Sequence, residues 1–405
     1  MRAAAIAIFA LSYLLISAPR FPLLPIGRAA GALLGAALMV AAGVLTPRES
    51  FAAVDASTIL LLFAMMLLTA YQERAGFFEV VARGLFTLCR TPWRLLAATS
   101  TLAAILSAFL VNDAVCVFLT PVIVAACRRA ALPMAPFLLA VATSANLGSA
   151  ATLVGNPQNM IIGSLSGLPF RGFLVHAGPA ALAGLLVNLG LLWVYYGRRL
   201  PAAFPPLEAA PAQKARGLLE VSVVTALIVI GFFAGMHLGY AALGGVLLLM
   251  IWERREPQQV LARVDWSLLV FFCGLFVVVA GLAKTGLMER AWTAAAPHLD
   301  LSRASGAALF SALMTVGSNL VSNVPLVLLT GPHLGELGGG QRAWVLLAYT
   351  TTVAGNLTLI GSVANLIVAE RAKADYTLGF WEYLRFGAVS TLLTLAAGVP
   401  LVYLR

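Results

Sequence analysis

Ten apolar runs, each a candidate to cross about 30 Å of hydrocarbon, divide this chain from end to end: residues 4–18, 26–46, 56–72, 134–165, 174–197, 217–235, 239–252, 266–283, 342–369 and 380–403. No soluble core uses that much apolar surface. Hydrophobic residues make up 61% of the chain and charged ones 10%, against about 25% charged in a soluble domain. The pattern predicts an all-α polytopic membrane protein and excludes a secreted disulfide scaffold, a disordered chain and an ordinary cytosolic enzyme. The four cysteines, Cys89, Cys116, Cys127 and Cys273, have no CxxC or metal-ligand spacing and read as small apolar packers.

Two further apolar stretches, 94–127 and 304–330, are broken near the middle by Asn112-Asp113 and Ser322-Asn323. The limb from Ala114 to Cys127 reaches only about 21 Å at 1.5 Å per residue. It is too short to span, so both stretches read as re-entrant hairpins. The formal charge of +10 does not point to nucleic acid, because Arg and Lys cluster in short loops between the runs. With ten crossings and two hairpins, one face carries eighteen of the 26 basic residues. The excess of positive charge marks that face as cytoplasmic. The expectation is a multi-pass protein of a bacterial-type cytoplasmic (inner) membrane, with both termini outside the cytoplasm. The first run is kept as a span, since Ser17-Ala18-Pro19-Arg20 is a poor signal-peptide cleavage site. Residues 77–90, with Phe78, Val81, Leu85 and Leu88 at helical spacing, read as an interfacial amphipathic helix.

Sliding the chain against itself finds one offset, 210 residues, that works at many polar and glycine positions. Asp55-Ala56-Ser57 falls on Asp265-Trp266-Ser267, Arg74 on Lys284, Asn112-Asp113 on Ser322-Asn323, and Asn146 on Asn356. After a four-residue deletion Gly155 and Asn159 fall on Gly361 and Asn365. Each copy holds five crossings and a hairpin, and an odd number of crossings inserts the second copy upside down. The reading is two inverted-topology repeats, residues 1–200 (hairpin 94–127, broken helix 134–165) and 214–405 (hairpin 304–330, broken helix 342–369), joined by a Pro- and Ala-rich linker at 201–213. This is an architecture of secondary transporters, which places a site near the midplane.

Four polar strings interrupt the apolar runs: Asn112-Asp113; Gly155-Asn156-Pro157-Gln158-Asn159; Ser322-Asn323; and Gly361-Ser362-Val363-Ala364-Asn365. In lipid such breaks survive only where they are buried in protein or line a cavity. At each one a helix begins anew, and its N-terminal N–H groups favour an anion. Asn and Ser side chains add donors for an oxyanion and acceptors for a coupling cation. A single Asn or Ser opening a helix is often only a cap; four breaks in two symmetric pairs point to a site. The expected substrate- and ion-binding residues are Asn112, Asp113, Asn146, Gly155, Asn156, Asn159, Ser322, Asn323, Asn356, Gly361, Ser362 and Asn365. Asp113 is the one carboxylate near the middle of a predicted membrane segment, where a charge costs about 2.5–3.5 kcal/mol on insertion scales. It is the candidate coupling residue; the bland reading is a helix cap beside Asn112.

The strings Asn112-Asp113-Ala114 with Leu119-Thr120-Pro121, Ala145–Thr152 running into Gly155–Asn159, and Ser318–Pro325 resemble the arsenite permease and citrate-transporter-like branch of the ion transporter superfamily. The resemblance covers nearly the whole chain. It extends to Asp265-Trp266-Ser267 and to Gly281–Leu287, where the family often has Glu and this chain has Ala283. The related divalent-anion/sodium symporters carry Ser-Asn-Thr at both hairpin tips. This chain has Asn-Asp-Ala and Ser-Asn-Val, which turns the reading away from dicarboxylates. The resemblance implies a scaffold domain, a mobile transport domain holding the hairpins, an elevator-type movement and often a homodimer.

The function expected is a secondary active transporter of a small anion or metalloid oxyacid such as arsenite, coupled to H⁺ or Na⁺ and needing no other cofactor. Its partners are then the small inorganic or organic anion and the lipid bilayer, with no nucleic acid. A sodium-coupled dicarboxylate or citrate carrier is the alternative and an anion channel a more distant one. An enzyme is not expected, because His176, His237, His298 and His333 are scattered at span ends with no HExxH string or paired carboxylates.

Overall fold

The computed structural model describes residues 1–17, 27–89, 91–203, 217–254 and 257–404. The expected linker at 201–213 falls largely on residues outside these. Among the described residues every regular element is helical. The first half is built of α1 (Arg2–Ser17), α2 (Arg28–Ala41), α3 (Pro47–Ala53), α4 (Ala56–Arg74), α5 (Phe77–Leu88), α6 (Pro92–Phe109), α7 (Asn112–Arg129), α8 (Met134–Ser149), α9 (Pro157–Ser166) and α10 (Phe170–Tyr196). The second half contains α11 (Leu218–Phe233), α12 (Leu238–Glu253), α13 (Gln258–Leu261), α14 (Trp266–Ala283), α15 (Leu287–Ala295), α16 (Ala304–Val321), α17 (Asn323–Thr330), α18 (Gln341–Ala354), α19 (Val363–Ala372) and α20 (Phe380–Tyr403).

Local signals set many of these starts. Thr46 and Glu49 form a reciprocal capping box ahead of α3, with Pro47 in its first turn. Asp55 accepts from the N–H groups of Ser57 and Thr58 to open α4; Asp265, 210 residues on, accepts from that of Leu268 to open α14. The amphipathic segment expected at 77–90 is α5, whose Phe78 is buried and stacked on Phe118 of α7 at 4.8 Å; the side chains of Leu85 and Leu88 lie outside the described residues.

Among the described residues five helical stretches are long and apolar enough to cross a membrane: α4, α10 with the 3₁₀ turn that follows it, α14, α16 and α20. Five more apolar helices, α1, α2, α8, α11 and α12, are shorter. The runs expected at 134–165 and 342–369 are the broken pairs α8–α9 and α18–α19.

Both hairpins differ from expectation in one limb. The limb read as Ala114–Cys127 is the 18-residue α7, about 27 Å long. Hydropathy ends at the flanking Asn-Asp and Arg-Arg pairs, but the backbone helix runs through them. The shortness argument therefore does not hold for the first hairpin. It does hold for the second, where α17 has 8 residues, although its partner limb α16 is long and apolar enough to cross.

The helices sort into two sets of contacts. In one, α2 packs on α14 and α4 on α12, with α1 beside α2 and α11 beside α12. Ion pairs join the halves at the helix ends. Arg74 meets Glu253, and Arg263 meets Glu73 at 2.8 Å; Lys284 meets Glu49 at 2.7 Å. The hydrogen bond from Lys284, with help from Thr46, holds the exposed Glu49 carboxyl down to about 2. In the other set, α6 packs on α8, α16 on α18 and α10 on α20, and the hairpin limbs cross over, α7 onto α19 and α17 onto α9.

Gly148 marks the closest approach of α6 and α8, since a Cβ there would overlap the backbone carbonyl of Ala104. Gly148→Ala is expected to lower stability by about 1–3 kcal/mol or more, because neither backbone can yield. A thermal melt of the purified variant checks this.

Candidate functional site

The breaks bring asparagines from both halves into one buried cluster. Asn146, near the end of α8, is at its centre. Its Oδ1 accepts from Asn112 Nδ2 at 3.0 Å and from Ser362 Oγ at 3.1 Å. Its Nδ2 donates to Asn356 Oδ1 at 2.8 Å and to Asn365 Oδ1 at 3.1 Å. The bond between Asn146 and Asn356 therefore joins two residues 210 positions apart. Asn356 Nδ2 donates onward to the Thr143 carbonyl at 3.1 Å. All five of these side chains are buried.

A second cluster adjoins the first. Asn156 caps α9 by accepting from the Asn159 N–H at 2.9 Å, and its Nδ2 donates to Ser149 Oγ at 2.9 Å and Thr352 Oγ1 at 3.2 Å. Gln158 Nε2 also reaches Thr352 Oγ1, at 3.3 Å. Ser149 links the clusters by donating to the Asn146 carbonyl at 2.8 Å. The hairpin tip joins as well, through the Asn112 N–H to the Gly155 carbonyl at 2.9 Å. Gly155 cannot carry a side chain, since a Cβ would lie 2.6 Å from the Ser149 backbone and 2.7 Å from the Ser107 carbonyl. At Gly361 a Cβ would lie 2.7 Å from Asn319 Oδ1.

Asn159 and Asn365 do the same work in the two halves. Asn159 Nδ2 donates to the carbonyls of Ser149 and Thr152 at 3.0 and 2.9 Å. Asn365 Nδ2 donates to those of Gly355 and Thr358 at 2.7 and 3.1 Å. In each case the acceptors lie ten and seven residues upstream, in the unwound segment. The freed carbonyls of a broken helix need such partners at membrane depth.

Asn323 and Ser322 are not drawn into these clusters. Asn323 Oδ1 accepts from Ser318 within its own hairpin, and Ser322 is exposed at the tip. Asp113 is half-buried in the first turn of α7. Val111 is the residue that precedes that helix and makes no side-chain cap bond, and no hydrogen bond to the Asp113 carboxylate is formed among the described residues. Asp113 is therefore not the cap that the bland reading offered.

Several contributing residues were missed by sequence reasoning. Thr143, Ser149 and Thr352 look like fillers in apolar helices, although the run Thr350-Thr351-Thr352 was a signal. Asn319 donates to the carbonyls of Thr315 and Ala354 at 3.1 and 2.9 Å and accepts from Thr358 at 3.1 Å. Asn188 is the one amide in α10. It donates to Thr143 Oγ1 at 2.9 Å and Ser144 Oγ at 3.2 Å, and accepts from Ser390 Oγ at 2.8 Å; an amide in a lipid-length helix is itself a pointer to a partner.

The interior these residues define is built of amides, hydroxyls and helix starts. Such groups both donate and accept, and the starts of α7 and α9 add the positive end of the helix dipole. Among the described residues no group of three His, Cys, Asp or Glu gathers to hold a metal.

A many-helix membrane protein whose helices break around a polar interior is of the transporter class. The chain belongs to the citrate transporter family, CitMHS, whose profile matches residues 13–354. It is 34% identical to the silicon efflux transporter LSI3 of Oryza sativa subsp. japonica, with 97% of this chain and 96% of that one covered. It is 33% identical to a putative transporter, arsB, of Dictyostelium discoideum, over 94% of this chain and 88% of that one. The fold is similar to that of the Alcanivorax borkumensis YdaH transporter, with a TM-score of 0.60 at 14% identity and 99% and 96% of the two chains covered.

Proposed function

We propose that this protein is a secondary active transporter of a small anion or metalloid oxyacid, arsenite-like in chemistry, working by alternating access. One observation carries the reading: the buried bond between Asn146 and Asn356, repeat mates by the 210-residue offset, in an interior of amides and hydroxyls with the carboxylate of Asp113 next to Asn112 at its edge. A hydrogen bond between two such mates is what a pseudo-two-fold axis through the site would produce. The matching bonds of Asn159 and Asn365, and the reciprocal packing of α7 on α19 and α17 on α9, support two inverted copies. The division of contacts into two sets supports a scaffold of α1–α4 and α11–α14 and a moving unit of α6–α10 and α16–α20, the arrangement of an elevator. Both termini then lie outside the cytoplasm, and the homodimer expected of the family forms through the scaffold.

The site suits a small hydroxylated solute. Side-chain amides and hydroxyls can exchange hydrogen bonds with each hydroxyl of a compact oxyacid without a fixed positive charge, whereas a dicarboxylate would ask for more donors than Asn112, Asn146, Ser362 and the helix starts supply. The names of the silicon and arsB relatives favour the same class. Asp113 supplies the coupling: at the hairpin tip it takes up a proton or holds a sodium ion as the substrate binds.

Thermal-shift measurements on the purified protein with arsenite, antimonite, silicic acid, sulfate, citrate and succinate, each with and without Na⁺, test the substrate class. A solute at 100 times its Kd stabilises by about 2.7 kcal/mol. Arsenite, antimonite or silicic acid is expected to raise the melting temperature. A rise confined to citrate or succinate would return the assignment to the dicarboxylate carriers.

A further inference from the structure

The second limbs of the two hairpins are built differently. In the first hairpin the limb is α7, an unbroken helix of 18 residues. Its tip is tied to the facing break by the Asn112 N–H to the Gly155 carbonyl and by Asn112 Nδ2 to Asn146. Its far end is tied by the ion pair of Arg128 with Asp375 at 2.9 Å. In the second hairpin, α17 passes after 8 residues into the 3₁₀ turns Gly331–Leu337. Among the described residues the side-chain hydrogen bonds of residues 323–337 stay within 304–337: Asn323 with Ser318, Thr330 with Met314 and His333 with Glu336. The polar tie that leaves it is a backbone one, from the Leu301 N–H to the Leu337 carbonyl at its base. Trp292 of α15 adds one ring contact, on His333.

Both ends of this limb have special backbone. Ser322 has φ +66° and ψ 156°, a region occupied almost only by glycine, where a serine stays only if its surroundings impose it. At the other end Gly338, Gly339 and Gly340 have φ of 72°, 82° and 55° in succession, which glycine adopts without cost. A cavity of about 300 Å³ lies against the limb. Leu334 and Gly335 of the limb, Gly340 and Trp344 bound it on one side, and the turn at Ser166–Pro169 between α9 and α10 on the other.

We propose that residues 323–337 form a gate that swings away from the α9–α10 turn on Gly338–Gly340, so that the cavity opens towards the amide clusters. The strain at Ser322 belongs to the closed position and favours opening. The purpose of the gate rests on the transport reading, but its test reads accessibility and needs no substrate.

Val327, fully buried on α17, is replaced by cysteine in a variant whose four native cysteines are alanine, and its rate of labelling by a water-soluble methanethiosulfonate is measured. Ser322→Gly removes the strain and is expected to slow labelling about tenfold, the direction set by relief of a strained backbone. Gly339→Ala, whose Cβ would meet Leu301 Cβ at 3.2 Å at a positive φ, adds strain to the closed position and is expected to speed it. Unchanged rates in both overturn the gate. Hydrogen exchange on the native-cysteine protein gives a second measurement should the cysteine variant fail to fold. Residues 323–337 are expected to exchange at least about tenfold faster than 113–129, and Ser322→Gly to narrow the gap. Equal protection, or a gap that Ser322→Gly leaves untouched, also overturns it. Solute transport with unchanged accessibility rejects the gate alone; altered accessibility without transport of any solute rejects the transport reading alone.

Discussion

Asp113→Asn is expected to abolish concentrative uptake while leaving the protein folded and still able to exchange solute across the membrane. The structural side of this expectation follows from what Asp113 does not do. Its carboxylate accepts no hydrogen bond among the described residues, so the amide breaks none. Asn323, its counterpart by the 210-residue offset, opens the second limb of the other hairpin as a neutral amide. The functional side follows from charge. A lone carboxylate in a membrane interior is costly and is kept for a task, and an amide can neither take up a proton nor neutralise a cation. In proteoliposomes with an imposed pH or sodium gradient the accumulation ratio should fall to about one, a loss of the whole coupling free energy, which is about 1.4 kcal/mol for each tenfold of gradient. Uphill uptake with the pH dependence of the unaltered protein would remove Asp113 from the mechanism.

Asn146→Ala is expected to be the most destabilising single substitution in the polar interior. It removes two acceptor and two donor contacts at once. The Nδ2 of Asn112, the Ser362 hydroxyl and the carbonyl oxygens of Asn356 and Asn365 lose a partner. Each buried polar group left unsatisfied costs about 1–3 kcal/mol. Several such losses approach the net stability of about 5–15 kcal/mol that a folded protein holds. The variant should express poorly and aggregate on size exclusion, whereas Asn112→Ala, which removes the side-chain contacts to Asn146 and to the N–H of Asp113 and leaves the backbone bond to Gly155, should be recovered with a lowered melting temperature. An Asn146→Ala protein melting within a degree or two of the unaltered one would show that the amide cluster is not what joins α8 to the second half.

Much of the fold could be read from the order of residues because lipid leaves the backbone so few choices. Apolar length gave four of the five helices long enough to cross among the described residues, α16 being the one that reads as a hairpin limb. Asn, Pro and Gly inside apolar sequence gave the four breaks, each of which begins a helix. The offset of 210, found on polar matches alone, reappears as the contact of Asn146 with Asn356. Limb lengths were less legible: the Arg128-Arg129 end of α7 is polar in sequence but helical in backbone, so hydropathy cut the helix short.

The site was legible as a set of residues but not as a division of labour. Cavity-lining roles were expected for Asn159 and Asn365, yet both spend their amides on carbonyls of the unwound segments, a three-dimensional need that spacing does not reveal. Thr143, Ser149 and Thr352 were hidden because a hydroxyl in an apolar helix usually bonds its own preceding turn, as Thr350 and Thr351 do here. Ser322 was expected among the binding residues, and its strained backbone, not its hydroxyl, is what distinguishes it.

Counterflow in proteoliposomes tests most directly whether this chain is a carrier built around a single alternating site. Vesicles containing the purified protein are loaded with unlabelled arsenite and diluted into labelled arsenite, with antimonite and silicic acid run in the same way. Internal solute is expected to accelerate uptake of label and drive a transient overshoot, because one site returns loaded from each side. Label entry that is indifferent to internal solute, with no overshoot for any of the three, would contradict it and point to a channel or to a different cargo.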